Sequence, residues 1–371
     1  MYAFYVFGIS DLQDLLPVML TAMQRKKKVW IAFLDCLTKK RQFYYYTREE
    51  LETFVNKAFL VNNLKAPRVN FYGINDASLF MEDYRRNKPK NVFLQNAVQK
   101  NAAWNPTTKS SKVVHFAWHM DSARNITDSK HDIILNSVKF RKDLSYYGIP
   151  NISNIPDWVR VPEHKKKNLA QINTRYFGNF RTCGLRFKPV APTKVKQKSC
   201  FIIEAHLRKN DDIFNKSTVE MTKKLIDLLK EKGYHTIWKK REKGYPKGDW
   251  YSPLDVCDAK PDVVIDKDLN FPNTITRYSQ ASDITVVMNT STAIFDAIDV
   301  SDNVIMIHPE EISANEEKKY RDRYENQGNF LYVRNDWCKL EEILEDSKQS
   351  KLHEQTAPSS LLLDYLEESD E

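Results

Sequence analysis

The chain has 371 residues, of which 42% are hydrophobic and 29% charged, a globular balance that excludes a disordered or low-complexity chain. The length exceeds what one hydrophobic core holds and predicts two domains. With nine glycines, and neither a GxGxxG nor a GxxxxGKS/T pattern, glycine-rich nucleotide loops are excluded. The formal net charge of +8 permits nucleic acid, an anionic membrane surface or a phosphorylated small substrate as partner, without choosing among them.

The chain opens on "YAFYVFG", a short apolar run. It has no basic region before it and no small-residue cleavage site after it, so it reads as a first buried strand. No apolar run reaches the ~20 residues that span a bilayer. "SDLQDLLPVMLTAMQRK" follows with helical spacing and a cap expected at Ser10, then "KVWIAFLD" as a second strand. The alternation continues with a helix at "REELETFVNKAFL", a strand at "RVNFYGI", a helix at "DASLFMEDYRRN" and a strand at "NVFLQN". Next come strands at "KVVHFAWH" and "HDIILNS", a helix at "VKFRKDLSYYG" and a strand at "TRYFGNF". Buried strands alternating with helices predict a parallel sheet covered on both faces, and the first such domain is expected over residues 1–185.

Residues 186–198, "RFKPVAPTKVKQK", lack periodicity and read as a linker. A second series is expected over 199–371. It opens with a strand at "SCFIIEAH", then a helix at "STVEMTKKLIDLLKEKG" capped at Ser217 or Thr218 and stopped by Gly233, then a strand at "YHTIWKK". "PDVVID" (strand), "FPNTITRYSQA" (helix), "DITVVMN" (strand), "TSTAIFDAID" (helix) and "NVIMIHP" (strand) follow, with a last helix at "DWCKLEEILEDSKQ". The expectation is a pair of Rossmann-like α/β domains facing across a cleft, with ligands beyond the carboxyl ends of the strands. The scattered Cys36, Cys183, Cys200, Cys257 and Cys338 form no CxxC and predict reduced thiols of a cytoplasmic protein.

The seam at "VVMNTSTAIFDAI" concentrates polar chemistry. Asn289, Thr290, Ser291 and Thr292 stand between a strand and a helix, where free N–H groups and hydroxyls stabilise a phosphate. The same residues also make an ordinary helix cap. Asp296, about one and a half turns on, is placed to hold ribose hydroxyls. His119 in "FAWHMDS" can take a proton from an alcohol, and it can equally be a packed loop histidine. Lys239, Lys240 and Arg241 follow a strand, as does Arg208 in "EAHLRKN". All four can neutralise a leaving diphosphate without a metal, and a solvated charge run has the same appearance.

The motif "NTSTAIFD", with "YSQASDITVVM" before it, resembles the D-Y-S-S-x-x-F-D segment of bacterial CDP-glycerol glycerophosphotransferases and related surface-polysaccharide transferases of GT-B fold. Trp118-His119 is similar to that family's W-H-G, with Met120 in place of the glycine. The family's K-x-H-P loop is missing at Lys239–Arg241. The resemblance implies a GT-B enzyme of polysaccharide biosynthesis with His119 as general base. Asn289–Thr292, Asp296, Arg208 and Lys239–Arg241 would then bind the donor's nucleotide and phosphates. It also directs attention to Gly8 and Ser10 after the first strand, and to His308 and Glu310, as acceptor or donor-sugar contacts.

The function expected is transfer of a sugar from a nucleotide-diphosphate donor to a hydroxyl of a glycan, polyol-phosphate or glycoconjugate, inverting and without metal or other cofactor. A CDP-glycerol-type glycerophosphotransferase and a nucleotide-sugar 2-epimerase are the alternatives within the fold. A non-catalytic scaffold or nucleic-acid-binding protein is the alternative outside it, although the basic residues are spread along the chain and no nucleic-acid motif is present. Basic segments at Arg25–Lys28 and Lys39–Arg41 leave room for approach to a membrane surface. No HExxH, calcium loop or DxD pattern supports a metal site.

Overall fold

The computed structural model describes residues 1–6, 9–34, 47–73, 75–95, 111–117, 131–135, 173–175, 198–205, 207, 211–240, 252–266, 274–288, 293–298, 300–301, 303–308, 330–334, 336–346 and 358–368. The chain divides into two compact units, Met1–Phe187 together with Gln355–Glu371, and Lys188–Glu354.

The first unit is built on a parallel sheet. Its strands are β1 (Tyr2–Val6), β2 (Val29–Leu34), β3 (Val69–Tyr72), β4 (Asn91–Gln95), β5 (Lys112–Ala117), β6 (His131–Leu135) and β7 (Asn173–Arg175), in the order β3-β2-β1-β4-β5-β6-β7. Every residue of β1 is buried, as expected of a central strand whose two faces are both covered. Helices α1 (Ile9–Gln24), α2 (Arg48–Val61) and α3 (Ala77–Asn87) connect successive parallel strands. Helix α1 starts at Ile9, so Ser10 lies inside its first turn rather than capping it. Helix α2 starts with a full capping box, in which Thr47 and Glu50 satisfy each other's backbone N–H. Aromatic rings fill one face of the sheet: Tyr5, Trp30, Tyr72 and Phe80 meet in edge and stacked contacts.

The second unit repeats the plan. Strands β8 (Ser199–Ile203), β9 (His235–Lys239), β10 (Val263–Ile265), β11 (Ile284–Met288), β12 (Val304–His308) and β13 (Phe330–Arg334) form a second parallel sheet, in the order β10-β9-β8-β11-β12-β13. Both sheets therefore carry the doubly wound Rossmann order, in which the chain starts at the centre, moves out one way and returns to build the other side. Helices α4 (Asp212–Glu231), α5 (Thr274–Ala281), α6 (Ala293–Ile298) and α7 (Trp337–Asp346) accompany this sheet. Its core is aliphatic around Trp238: Ile202, Leu225, Leu229, Val286, Ile305 and Leu340 belong to one buried cluster.

Two expectations are corrected. Helix α4 begins at Asp212, not at Ser217 or Thr218. The Asp211 carboxylate accepts the Phe214 N–H at 3.2 Å and caps the helix, while Thr218 is buried in the helix interior. The polar "NDD" that reads as a turn supplies that cap, and Phe214 extends the apolar stripe by one turn. The second domain was also expected to run to residue 371. Instead α8 (Pro358–Glu368) packs against α1 of the first unit. Arg25 there meets Asp364 at 2.7 Å and the Ser360 carbonyl at 3.1 Å, and Lys27 meets Glu367 at 3.0 Å. The strand expected at "TRYFGNF" is described only as far as Arg175, and the helix expected at "VKFRKDLSYYG" lies outside the described residues.

Candidate functional site

In a sheet of this order the connections diverge between β8 and β11, and a crevice opens beyond the carboxyl ends of the strands. Apolar strands deliver a set of buried ionisable side chains to that edge of the second sheet. Glu204 directly follows β8 and is 4% exposed, Lys239 ends β9 at 6%, and His308 ends β12 at 2%. Asp296, 1% exposed, is the fourth residue of α6, which packs on both β11 and β12. Charged groups almost never sit this deep without a compensating partner or a task.

Glu204 is the best-defined of these. Its Oε2 accepts the Trp238 indole N–H at 2.9 Å and the Ser252 hydroxyl at 2.5 Å. Both donors are themselves buried, so the two bonds offset the desolvation of the carboxylate. Ser252 also accepts the Leu254 N–H at 3.3 Å and so caps the short 3-10 turn Pro253–Asp255. That turn places Asp255 against Lys240, Nζ to Oδ1 at 2.7 Å, while the Lys240 N–H donates to the Ile265 carbonyl at 2.9 Å. The hydrogen bond that its amine donates to Asp255 raises the Lys240 pKa above its ordinary value. Lys239 points its amine back to the Lys240 carbonyl at 2.6 Å. The ends of β8 and β9 and the 252–255 turn are thus one polar assembly. On the other side of the switch point, the His308 Nε2 lies 3.2 Å from the Met306 sulfur.

Of the residues singled out in the sequence, Lys239, Lys240, Asp296 and His308 all stand at this one edge. Lys240 is ion-paired with Asp255 rather than open to solvent anions. Ser10 lies in α1 with its side chain outside the described residues. Gly8, His119, Arg208, Arg241, Asn289, Thr290, Ser291, Thr292 and Glu310 also lie outside them. Glu204, Ser252 and Asp255 were not picked out from the sequence. The signal for Glu204 was present: in "SCFIIE" a lone carboxylate closes an otherwise apolar strand at its carboxyl end. Among the described residues no three His, Cys, Asp or Glu side chains are grouped to hold a metal ion, and no helix is long and apolar enough to cross a membrane.

No family model matches the chain, and no curated protein matches it. Solved structures do. UDP-GlcNAc 2-epimerase from Methanocaldococcus jannaschii aligns with 99% of this chain and 100% of its own, at 13% identity and a TM-score of 0.55. MnaA of S. aureus, solved with UDP, aligns with 99% of this chain and 96% of its own at 11% identity and a TM-score of 0.51. SnogD, a glycosyltransferase from Streptomyces nogalater, aligns over 99% of both chains at 9% identity and a TM-score of 0.49. At such identities the first two matches establish the fold alone: the chain is an α/β protein of two Rossmann-like units, of the GT-B type.

Proposed function

We propose that the chain is a glycosyltransferase that binds a nucleotide-diphosphate sugar at the carboxyl edge of its second sheet and passes the sugar to a hydroxyl acceptor. The observation that carries this reading is the gathering of Lys239, Glu204, Asp296 and His308, all buried, on both sides of the switch point. A parallel sheet of this order binds nucleotides at that place, and MnaA was solved with UDP. Asp296 is the ribose partner in this reading, and Lys239 and Arg208 lend positive charge to the departing diphosphate. His119 deprotonates the acceptor in a direct, metal-independent displacement, which inverts the anomeric carbon.

The match to the M. jannaschii protein, a UDP-GlcNAc 2-epimerase, favours a second reading, in which the chain epimerises a nucleotide sugar without an acceptor. Buried Glu204 and His308 on one edge are acid–base groups of the kind such chemistry uses. A CDP-glycerol donor is the third reading, carried by "NTSTAIFD".

The test is a thermal-shift panel of UDP, GDP, CDP, TDP and CMP on the wild-type chain and on Asp296→Asn. One nucleotide at about a hundred times its dissociation constant should add about 2.7 kcal/mol of stability, and the substitution should remove most of that gain. A flat response to all five rejects the donor site. With the preferred nucleotide sugar in D2O, nucleoside diphosphate released only when an acceptor is present marks a transferase. Deuterium entering the sugar at C2 without an acceptor marks an epimerase.

A further inference from the structure

The opposite edge of the first sheet carries a different kind of chemistry. Parallel strands put all their amino ends on one edge, and crossover helices run antiparallel to the strands, so their carboxyl ends arrive there too. On this edge Tyr2 N–H donates to the Lys28 carbonyl at 2.9 Å, Lys90 N–H to the Met1 carbonyl at 3.0 Å, and Lys112 N–H to the Lys90 carbonyl at 2.9 Å. Neighbouring strands lie ~4.8 Å apart. The sheet thus sets Lys28, the chain's first residue, Lys90 and Lys112 side by side in a row. Burial and then the charges of Lys28, Lys27 and Lys90 push the Met1 α-amino group below its ordinary pKa.

The helix ends extend the row. Lys26 and Lys88 sit in left-handed conformations just past α1 and α3, and both are exposed, as are Lys28, Arg85 and Arg86. Helix dipoles account for only part of this. Arg85 and Arg86 do lie in the last turn of α3, but the last turns of α1 and α2 hold no basic residue. Asp364 and Glu367 of α8 neutralise Arg25 and Lys27, Glu82 and Asp83 pair with Arg86, and the Lys112 amine lies over the Tyr365 ring. The row's charge therefore rests on Lys26, Lys28, Arg85, Lys88 and Lys90.

An apolar component lies on the same edge. Leu60 is 72% exposed and Val61 is exposed too, both in the last turn of α2 and therefore on the same edge. Cations alone fit any polyanion. Cations flanking protruding aliphatic side chains fit a surface that is anionic in its headgroups and apolar just beneath them.

We propose that the amino edge of the first sheet docks on an anionic lipid bilayer, its lysines against the headgroups and Leu60 and Val61 inserted between them. The proposal is independent of the nucleotide reading, since it uses the end of the first sheet opposite the strand carboxyl ends. The test is co-sedimentation of the full chain with phosphatidylcholine vesicles, with and without phosphatidylglycerol, over a range of salt concentrations. A single-stranded RNA oligonucleotide serves as a competing polyanion.

Binding is expected to the phosphatidylglycerol vesicles alone, and to weaken with salt. Lys28→Gln with Lys88→Gln should weaken it about twenty-five-fold, at about fivefold for each lysine near the surface. Leu60→Ser should weaken vesicle binding at every salt concentration while leaving RNA binding unchanged. All three positions are exposed, so the melting temperatures of the variants should match that of the wild type. Absence of binding to anionic vesicles overturns the proposal. So does tight RNA binding combined with vesicle binding that ignores Leu60→Ser, an outcome that would assign the row to a nucleic acid.

Discussion

The two sheets share one strand order and differ in the side chains that tie their amino edges. In the second sheet the edge is closed by carboxylates of its own. Asp262, just before β10, accepts the N–H and the hydroxyl of Thr236 in β9, each at 2.7 Å. Asp283, just before β11, does the same for Ser199 at the start of β8, at 2.7 and 3.1 Å. Each carboxylate thus ties the start of one strand to its neighbour. Both sheets also have backbone ties there, His235 N–H to the Lys198 carbonyl in the second and Tyr2, Lys90 and Lys112 N–H to the Lys28, Met1 and Lys90 carbonyls in the first. The first sheet's described side-chain tie, however, is a hydroxyl, Ser111 donating to the Pro89 carbonyl at 2.7 Å, and Lys90 stands before β4 where the second sheet has Asp283 before β11. One topology therefore accommodates an edge whose side chains bond inward and an edge that presents charge outward.

The comparison is sharpest in stability, because side chains that bond inward hold the unit together and outward lysines do not. Glu204, another carboxylate of the second unit, offers the largest effect. Glu204→Ala strands the Trp238 indole N–H and the Ser252 hydroxyl, both buried. Each orphaned donor costs on the order of 1–3 kcal/mol, so a loss of about 3 kcal/mol is expected. Amide exchange along β8 and β9 should report it locally, with protection falling there while β1 and β4 are unchanged. Lys28→Gln should stay within about 0.5 kcal/mol of wild type. Equal losses at Glu204 and Lys28 would break the distinction between inward-bonded and outward-facing side chains.

Tyr72 tests whether the first unit has an inward polar bond of comparable weight. Its hydroxyl donates to Asp83 Oδ2 at 2.7 Å, in contact with the aromatic cluster. Burial and then the Asp83 carboxylate push the phenol pKa far above its ordinary range, so it stays a donor at any working pH. Tyr72→Phe keeps the ring and removes one bond. Asp83 retains Arg86 at 3.2 Å, so its carboxylate is not abandoned. About 1–1.5 kcal/mol is expected by denaturant titration, at most half the Glu204 effect. A loss as large as that of Glu204→Ala would show the first unit to be equally dependent on a buried carboxylate.

Much of this architecture is legible in the sequence because parallel sheets write themselves as apolar runs. "YAFYV", "VWIAFL", "SCFII" and "ITVVM" all became buried strands. What the sequence obscured was whatever depends on a neighbour distant in the chain. The capping role of Asp211 hid inside a polar cluster that also reads as a turn. The attachment of α8 to α1 depends on Arg25 and Lys27 meeting Asp364 and Glu367, a pairing with no local trace. In the candidate site, Lys239, Asp296 and His308 were marked by their places at strand ends and in a motif. Ser252 and Asp255 become visible only once β9 lies beside β8. The basic segment Arg25–Lys28 was equally plain, but only the sheet joins it to Lys88 and Lys90 in a row.

Asp262 carries a small effect and separates charge from hydrogen bonding at the inward edge. Burial pushes its pKa up, but the N–H and hydroxyl of Thr236 outweigh that, and the net shift is downward. A carboxylate whose folded pKa is depressed contributes stability above its unfolded pKa near 4, and loses it as pH falls through the lower folded value. Asp262→Asn keeps an acceptor for Thr236 and removes the charge. The variant should therefore be slightly less stable than wild type at neutral pH, by under about 1 kcal/mol because solvent screens this partly exposed group. The difference should shrink as the pH falls below 4 and vanish once the wild-type carboxylate is protonated. Denaturant titrations of both chains at neutral and acid pH measure it. A difference that persists at acid pH would mean that the amide holds Thr236 badly, and that the edge is closed by geometry rather than by charge.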